Sequence, residues 1–246
     1  MSTKIIVNGA AGRMGSEVVR LADTGYRGCK CVAKVDISGG DCLTSIDEYT
    51  GEADVIIDFS FHTAVGTLLD CAVQRKLPIV IATTGHSVEE KALIYAAAKK
   101  IPVFYSANMS VGVALLCELA VKTASVFPDA DIEIVETHHN RKVDAPSGTA
   151  LMLADAMSMA RGGTEIVRGR DGAAKRKPGE IGISAVRRGN IAGIHEIYVS
   201  TGTQTITLKH EAHDRSLFAE GALAAAEFMK ECRMAGLYNM QSMLGD

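Results

Sequence analysis

The chain has 246 residues, of which 47% are hydrophobic and 22% are charged. A chain of this length and balance buries enough apolar surface to fold as one large or two modest domains, which excludes disordered, fibrous and disulfide-dependent classes. The formal net charge of -3 gives no global positive field for nucleic acid or an anionic membrane surface, so we expect neither as a partner.

The first residues run directly into a strand pattern, without the features of a signal peptide, and no window approaches the roughly 18 apolar residues of a membrane span. The six cysteines are scattered and form no C-x-x-C pair. That spacing favours reduced thiols over metal ligands, so we expect no metal site. Together these features predict a cytoplasmic protein.

Short β-branched runs alternate with helical patterns over the first 105 residues, which is typical of βαβ units and a parallel sheet. The predicted strands are Ile5–Val7, Cys31–Val35, Val55–Ile57, Ile79–Ile81 and Val103–Tyr105. The predicted helices between them are Ser16–Ala22, Ala64–Val73 and Glu89–Lys99.

The pattern changes after Asn108 and predicts a smaller α+β domain with a mostly antiparallel or mixed sheet. Residues 162–182 are rich in Gly, Arg and Lys and lack periodicity, so we expect a loop that could move. The predicted strands are Asp131–Ile134, Ile181–Val186, Ile191–Ser200 and Thr205–Lys209. The predicted helices are Ala114–Ala124, Ser147–Met159 and Arg215–Met229, and the last could fold back onto the first domain.

A glycine-rich turn of the form G-x-x-G-x-x-G, from Gly9 to Gly15, follows the first predicted strand and enters a helix. Glycine allows a tight turn and a close approach of the backbone to pyrophosphate, whose charge the helix N-terminus stabilises. Asp36 ends the second predicted strand, where an acid accepts hydrogen bonds from the adenosine ribose hydroxyls. The pattern predicts dinucleotide binding.

The residue after Asp36 is Ile37, not a base that would pair with a 2′-phosphate. This favours NADH over NADPH, although Arg13 and Lys34 could still help with NADPH.

The densest group of chemically capable residues lies between Glu136 and Ala150, where two histidines, an arginine and a lysine fall within five positions. Histidine exchanges protons near neutral pH, and lysine can hold a carboxylate or donate a proton. Ser147 starts a helix whose free N–H groups suit a second anion. A basic run is also typical of a solvated face, and one of two adjacent strand histidines, His138 and His139, would then face the core.

This stretch resembles the dihydrodipicolinate reductase family, now called 4-hydroxy-tetrahydrodipicolinate reductases, whose hallmark E-x-H-H-x-x-K-x-D-x-P-S-G-T-A is met without a gap. Further resemblance lies in the opening G-x-x-G-R-M-G, in Asp58–Ser60, in Thr83–Gly85, in Ser106–Val113 and in Arg187–His195. The resemblance implies hydride transfer from NADH or NADPH to a small cyclic dicarboxylate imine, with loss of water, in lysine and diaminopimelate biosynthesis.

The resemblance also implies roles for individual residues. His138 would be the general acid/base and Lys142 the proton donor. His139, Gly148 and Thr149 would contact the substrate, the last two through a carboxylate. The cofactor would be lined by Gly9, Ala10, Ala11, Gly12, Arg13, Met14, Asp36, Ala82, Thr83, Thr84, Ser106, Ala107, Asn108 and Met109.

In the same way, the resemblance implies a homotetramer that joins through the sheet of the smaller domain, and two domains that close around the ligand. We expect residues 1–108 and 216–246 to bind the dinucleotide and residues 109–215 to bind the substrate and form the oligomer.

Two departures from the family pattern bear on the cofactor. Ile37 stands where relatives often have a basic residue, and Ala82 stands where a glycine is expected.

Two other functions compete with this interpretation. Tyr95 and Lys99 fit the Y-x-x-x-K of short-chain dehydrogenases, but the pattern comes before the fifth strand and is more typical of the exposed end of a helix. A noncatalytic NAD-binding regulator would need a partner surface or a basic recognition helix, and the sequence contains no such helix.

Overall fold

The computed structural model describes residues 2–245. Its strands are β1 (Thr3–Asn8), β2 (Cys29–Val35), β3 (Val55–Asp58), β4 (Ile79–Ile81), β5 (Pro102–Tyr105), β6 (Asp131–His138), β7 (Ile166–Arg168), β8 (Ile181–Arg187), β9 (Gly193–Ser200), β10 (Thr205–Ala212) and β11 (Gly236–Tyr238). Its α-helices are α1 (Arg13–Asp23), α2 (Val65–Arg75), α3 (Val88–Ala98), α4 (Val111–Val126), α5 (Gly148–Ala160), α6 (Ser216–Glu231) and α7 (Met240–Leu244).

The chain divides into two compact units, and the first joins residues up to 110 with those from 216 onward. Its sheet has six parallel strands in the order β11-β5-β4-β3-β1-β2. Ile6 and Ile56 pack with α2 and α3 on one face. Because side chains alternate along a strand, Ile5 and Ile57 point to the other face, where α6 packs beside α1. The predicted Rossmann-type sheet is confirmed.

Local sequence explains where several helices begin. Ser87 and Glu90 form a capping box at the start of α3, since each side chain accepts a hydrogen bond from the other's backbone N–H. Ser147 caps α5 by accepting a hydrogen bond from the N–H of Ala150 at 3.3 Å. At α1 the N-cap residue is Gly12, which has no side chain to accept a hydrogen bond from the first turn of the helix. The N–H groups of that turn therefore depend on other partners.

The second unit covers residues 111–215 and contains a five-stranded sheet in the order β10-β9-β6-β8-β7. Helices α4 and α5 cover one face, where Leu153 and Met157 pack on Ile132, Ile134 and Ile183. The sheet is mixed, as expected, but fewer of its strand pairs are antiparallel than the sequence predicted. The pairings β9–β10 and β6–β9 are antiparallel, whereas β6–β8 and β7–β8 are parallel. The chain returns to the sheet through α5 at β7 and crosses again before β8, so β6, β7 and β8 all run in the same direction.

The prediction of a featureless loop over residues 162–182 is wrong in part, because β7 lies inside it and pairs with β8. The segment after β7 is held by Arg176, which donates to Asp131, to Glu133 and to the carbonyl oxygens of Ile132 and Glu180. These charge-assisted hydrogen bonds attach the segment to the sheet, although its sequence has no apolar periodicity. The sequence also gave no sign of β11 and α7 at the end of the chain.

Along the part of the chain that is described, none of the helices is both long and apolar enough to cross a membrane. The six cysteines are free thiols. Burial raises the pKa of Cys29 and of Cys31 to about 11, which keeps both groups protonated near neutral pH.

Candidate active site

Three loops of the first unit follow strands β1, β4 and β5, and all three lie at the carboxyl edge of the parallel sheet. They contain Gly9–Met14, Ala82–Thr84 and Ser106–Met109, the segments predicted to line the cofactor. In doubly wound sheets this edge is where ligands bind. The structure therefore brings the predicted cofactor residues together.

The glycine-rich turn is built by close backbone contacts. Gly9 has a φ of +78°, and a Cβ there would lie 2.5 Å from the carbonyl oxygen of Phe59. A Cβ on Gly15 would overlap the carbonyl oxygen of Gly9. Both positions therefore require glycine, which allows α1 to begin against the end of β1 with its N-terminus free for an anion.

The Asp36 carboxylate lies against this turn. It accepts hydrogen bonds from the N–H of Ala11 at 3.1 Å and from the N–H and hydroxyl of Ser38 at 3.0 and 2.7 Å. These bonds, the ones from Ser38 first, lower the pKa of Asp36, so the group is an anion and an acceptor at neutral pH. The side chain of Ile37 is 93% exposed and leaves this position without a positive charge.

A buried carboxylate, Asp58, links the ends of the central strands. It accepts hydrogen bonds from the Asn8 amide at 2.8 Å, from Ser60, and from the Thr83 hydroxyl at 2.7 Å. The third loop is fixed separately by Ser106, whose hydroxyl donates to the carbonyl oxygen of Asn108 at 2.7 Å. These bonds hold the loops after β4 and β5 in defined positions.

In the second unit, His138 is the last residue of β6, and its ring is buried. Its Nδ1 lies 2.5 Å from Oε2 of Glu136, and its ring meets the ring of His195 edge-on with centroids 5.2 Å apart. Of the two adjacent histidines, one faces the interior of the second unit. His138 is the inward one, and Glu136 satisfies it.

Glu136 is fully buried and bonded on both oxygens. Arg187 donates one hydrogen bond of 2.8 Å to each oxygen, and the N–H of Ser147 donates to Oε1 at 3.0 Å. Burial opposes ionisation, but the hydrogen bonds from His138, Arg187 and Ser147 outweigh it and lower the pKa of Glu136 to about 2. The sequence stretch contained Glu136 and the resemblance contained Arg187, yet neither had been given a role.

His195 lies on β9, and its Nε2 is 3.2 Å from the hydroxyl of Ser147. Burial lowers the pKa of His195 from 6.5 to about 4. Between those pH values His195 binds a proton in the unfolded chain but not in the folded chain, so acidification should favour unfolding in this window.

We therefore expect NMR of the ring carbons to show a neutral His195 at about pH 5. A titration midpoint near 6.5 would contradict this assignment.

Lys142 and Asp144 form an ion pair, with Nζ 2.8 Å from Oδ1. The hydrogen bond from Lys142, and a weaker one from the N–H of Gly148, lower the pKa of Asp144. Gly148 opens α5, and Thr149 follows it on the first turn. An internal carboxylate therefore already interacts with Lys142 and Gly148, two of the residues predicted to act on the substrate.

His139 lies just beyond β6 and is half-buried. Its backbone N–H donates a hydrogen bond to the carbonyl oxygen of Ile191 at 2.8 Å. Its Nδ1 is buried and has no hydrogen-bond partner among residues 2–245. Burial, together with the nearby cations Arg141 and Arg215, lowers the pKa of His139. The lowered pKa favours the neutral form of the His139 ring.

No group of three or more His, Cys, Asp or Glu side chains in the described chain is arranged to hold a metal ion. The Tyr95 side chain lies half-exposed on α3, and Lys99 is the residue at that helix's C-terminal cap. This position is that of an exposed helix end.

Comparisons with known proteins agree over nearly the whole chain. Residues 3–109 match the family model "Dihydrodipicolinate reductase, N-terminus", and residues 112–244 match "Dihydrodipicolinate reductase, C-terminus". A protein named 4-hydroxy-tetrahydrodipicolinate reductase from Caldanaerobacter subterraneus subsp. tengcongensis is 44% identical over 250 residues and covers 99% of both chains. One of the same name from Alkaliphilus oremlandii is 41% identical and covers 98% of both.

Solved structures support the fold. A dipicolinate-bound dihydrodipicolinate reductase from Paenisporosarcina sp. TG-14 superposes with a TM-score of 0.82 at 24% identity, covering 97% of this chain and 98% of that one. A myo-inositol 2-dehydrogenase from Lactobacillus plantarum superposes with a TM-score of 0.63 at 10% identity, covering 99% of this chain and 94% of that one. At such identities the agreement concerns architecture.

Proposed function

Since this chain belongs to the dihydrodipicolinate reductase family, we propose that it reduces 4-hydroxy-tetrahydrodipicolinate to tetrahydrodipicolinate with NADH or NADPH. The single observation that carries the proposal is the pair of family matches, supported by full-length relatives of that name at up to 44% identity. The reaction transfers a hydride, releases water and belongs to lysine and diaminopimelate biosynthesis. Because all six cysteines are free thiols, we expect the cytoplasm as its location.

The proposed substrate is a small ring with two carboxylates, and the second unit offers positive and hydrogen-bonding groups to match. We propose that Gly148 and Thr149, at the N-terminus of α5, bind one carboxylate and that His139 contacts the ring. Loss of the 4-hydroxyl group as water, with a proton supplied to it, leaves an unsaturated imine. When hydride reaches that imine, an electron pair moves toward the ring nitrogen, and one proton must be taken up to complete tetrahydrodipicolinate. His138 as general acid/base and Lys142 as proton donor are the groups we assign to that transfer.

For the cofactor we propose binding by the first unit, through Gly9–Met14, Asp36, Ala82–Thr84 and Ser106–Met109. We expect NADH to be used at least as well as NADPH, because the Asp36 carboxylate would repel a 2′-phosphate and Ile37 offers no compensating charge. Initial rates with both cofactors at equal concentration measure this preference. A preference for NADPH of tenfold or more would refute it.

The function itself is tested by oxidation of NADH in the presence of freshly prepared 4-hydroxy-tetrahydrodipicolinate, followed by nicotinamide absorbance. We expect oxidation that depends on the precursor, with no oxidation when it is omitted. A purified, folded protein that binds NADH but shows no precursor-dependent oxidation would overturn the proposal and favour a noncatalytic role.

We further propose that the chain forms a homotetramer through the sheet of the second unit. On the sheet face opposite α4 and α5, β8 presents Ser184 and Val186, which are exposed in the single chain. Light scattering coupled to size-exclusion chromatography measures the mass of the assembly. A monomer at enzyme-assay concentrations would contradict this proposal.

A further inference from the structure

Glu136 is the centre of a hydrogen-bonded cluster that joins three strands and the start of α5. It lies opposite His195 of β9 and Ala185 of β8, while His138 lies opposite Arg187. The cluster consists of Glu136, His138, Ser147, Arg187 and His195. All five residues belong to the second unit.

An ionised carboxylate can only accept hydrogen bonds. Four N–H donors converge on Glu136, namely two from Arg187, one from the Ser147 backbone and one from the ring of His138. Because Glu136 cannot donate, the proton between it and His138 must lie on Nδ1 of the histidine. A neutral His138 therefore carries its lone pair on Nε2.

The surroundings of Nε2 are kept open by a glycine. A Cβ built on Gly193 of β9 would lie 3.0 Å from Nε2 of His138. Any side chain at position 193 would therefore crowd Nε2 of His138, the ring nitrogen that carries the lone pair in the Nδ1-protonated tautomer. His195 packs against the ring edge and, as a neutral group, adds no charge that competes for Glu136.

We infer that Glu136 and Arg187 are positioning residues, which fix His138 in the Nδ1-protonated form so that Nε2 is the atom that exchanges the proton with substrate. Arg187 holds the Glu136 carboxylate in place through two hydrogen bonds. The guanidinium group is itself fixed by a hydrogen bond to the carbonyl oxygen of Asp144 at 2.6 Å. This inference rests on the proposed function for the identity of the proton acceptor. The tautomer itself is a property of the free protein.

The test compares Glu136→Gln with Glu133→Gln. Both glutamates lie on β6 and pair with arginines, but Glu133 pairs with Arg170 and Arg176 away from the histidine cluster. We expect Glu136→Gln to lower kcat by about 10- to 100-fold, with KM for the substrate changed less than twofold, because the amide no longer selects one tautomer. Glu133→Gln should retain kcat within about twofold.

The tautomer is measured by NMR of protein with ¹⁵N-labelled histidine, without substrate or nicotinamide and at a pH where the ring is neutral. In the wild type we expect His138 protonated on Nδ1, and in Glu136→Gln a mixture of both tautomers. Arg187→Met should keep His138 protonated on Nδ1, because the Glu136 carboxylate remains, but should lower kcat, because that carboxylate loses the two bonds that hold it in place. Arg187→Lys should restore part of kcat.

Two results would overturn the inference: an Nε2-protonated His138 in the wild type, or a Glu136→Gln enzyme with the kcat of Glu133→Gln. If the Glu136→Gln protein does not fold, the wild-type spectrum still decides. A wild-type enzyme without precursor-dependent NADH oxidation would instead refute the proposed function, whatever the tautomer.

Discussion

Replacing His138 or Lys142 by alanine should lower kcat by about 10²- to 10⁴-fold, the range for loss of a positioned acid or base. His138 is buried beside an ionised carboxylate, and Lys142 is held by Asp144 next to the N-terminus of α5. Each side chain is therefore held in a fixed position. Steady-state rates with saturating NADH and substrate measure the loss.

His213→Ala and Lys122→Ala are matched controls for these two variants. Both residues are exposed in the same unit, and neither forms a hydrogen bond with the cluster around Glu136. We expect wild-type kinetics from both controls. A Lys142→Ala enzyme with unchanged kcat would remove the proposed role of Lys142, and the same result for His138→Ala would remove that of His138.

Gly15→Ala should weaken NADH binding by at least about 100-fold, because the new Cβ would overlap the carbonyl oxygen of Gly9. The overlapping atoms both belong to the backbone, so relief requires α1 to move relative to the end of β1. Fluorescence titration with NADH measures the change in Kd.

The control for Gly15→Ala is Gly66→Ala, also near the start of a helix of the first unit. A Cβ on Gly66 would meet only Leu93, at an ordinary 3.7 Å, so binding and folding should be unchanged. Circular dichroism of both variants separates weak binding from loss of structure. A well-folded Gly15→Ala protein with wild-type affinity for NADH would contradict the role given to the turn.

The parallel sheet was predictable because its strands are continuous β-branched runs that are buried on both faces. Val55–Ile57 and Ile79–Ile81 lie within or coincide with the observed strands. Strand β7 was missed because it has only three residues and no apolar alternation. Its segment is held by Arg176, whose partners Asp131 and Glu133 lie more than 40 residues earlier. Such distant ion pairs leave no local pattern.

The roles predicted from the sequence fall on residues of one short stretch, whereas Glu136 in that stretch and the groups contributed by other strands were given none. His138, Lys142 and Gly148 lie within a single motif. Arg187 lies 51 residues after Glu136, and His195 lies 48 residues after Ser147. The pairing of β6 with β8 and β9 is what brings these groups together, and the pairing depends on tertiary structure.

The ion pair between Lys142 and Asp144 has a consequence for ligand choice. The Asp144 carboxylate already neutralises the ammonium group and also interacts with the N–H of Gly148. A carboxylate that enters this position therefore exchanges with an anion of the chain, and the electrostatic gain is only the difference between the two. Monoanions should compete poorly with a tethered aspartate. Under the proposed function, we therefore expect ligands with two carboxylates to bind better than monoanions, because the second carboxylate can meet a cation that Asp144 does not pair with.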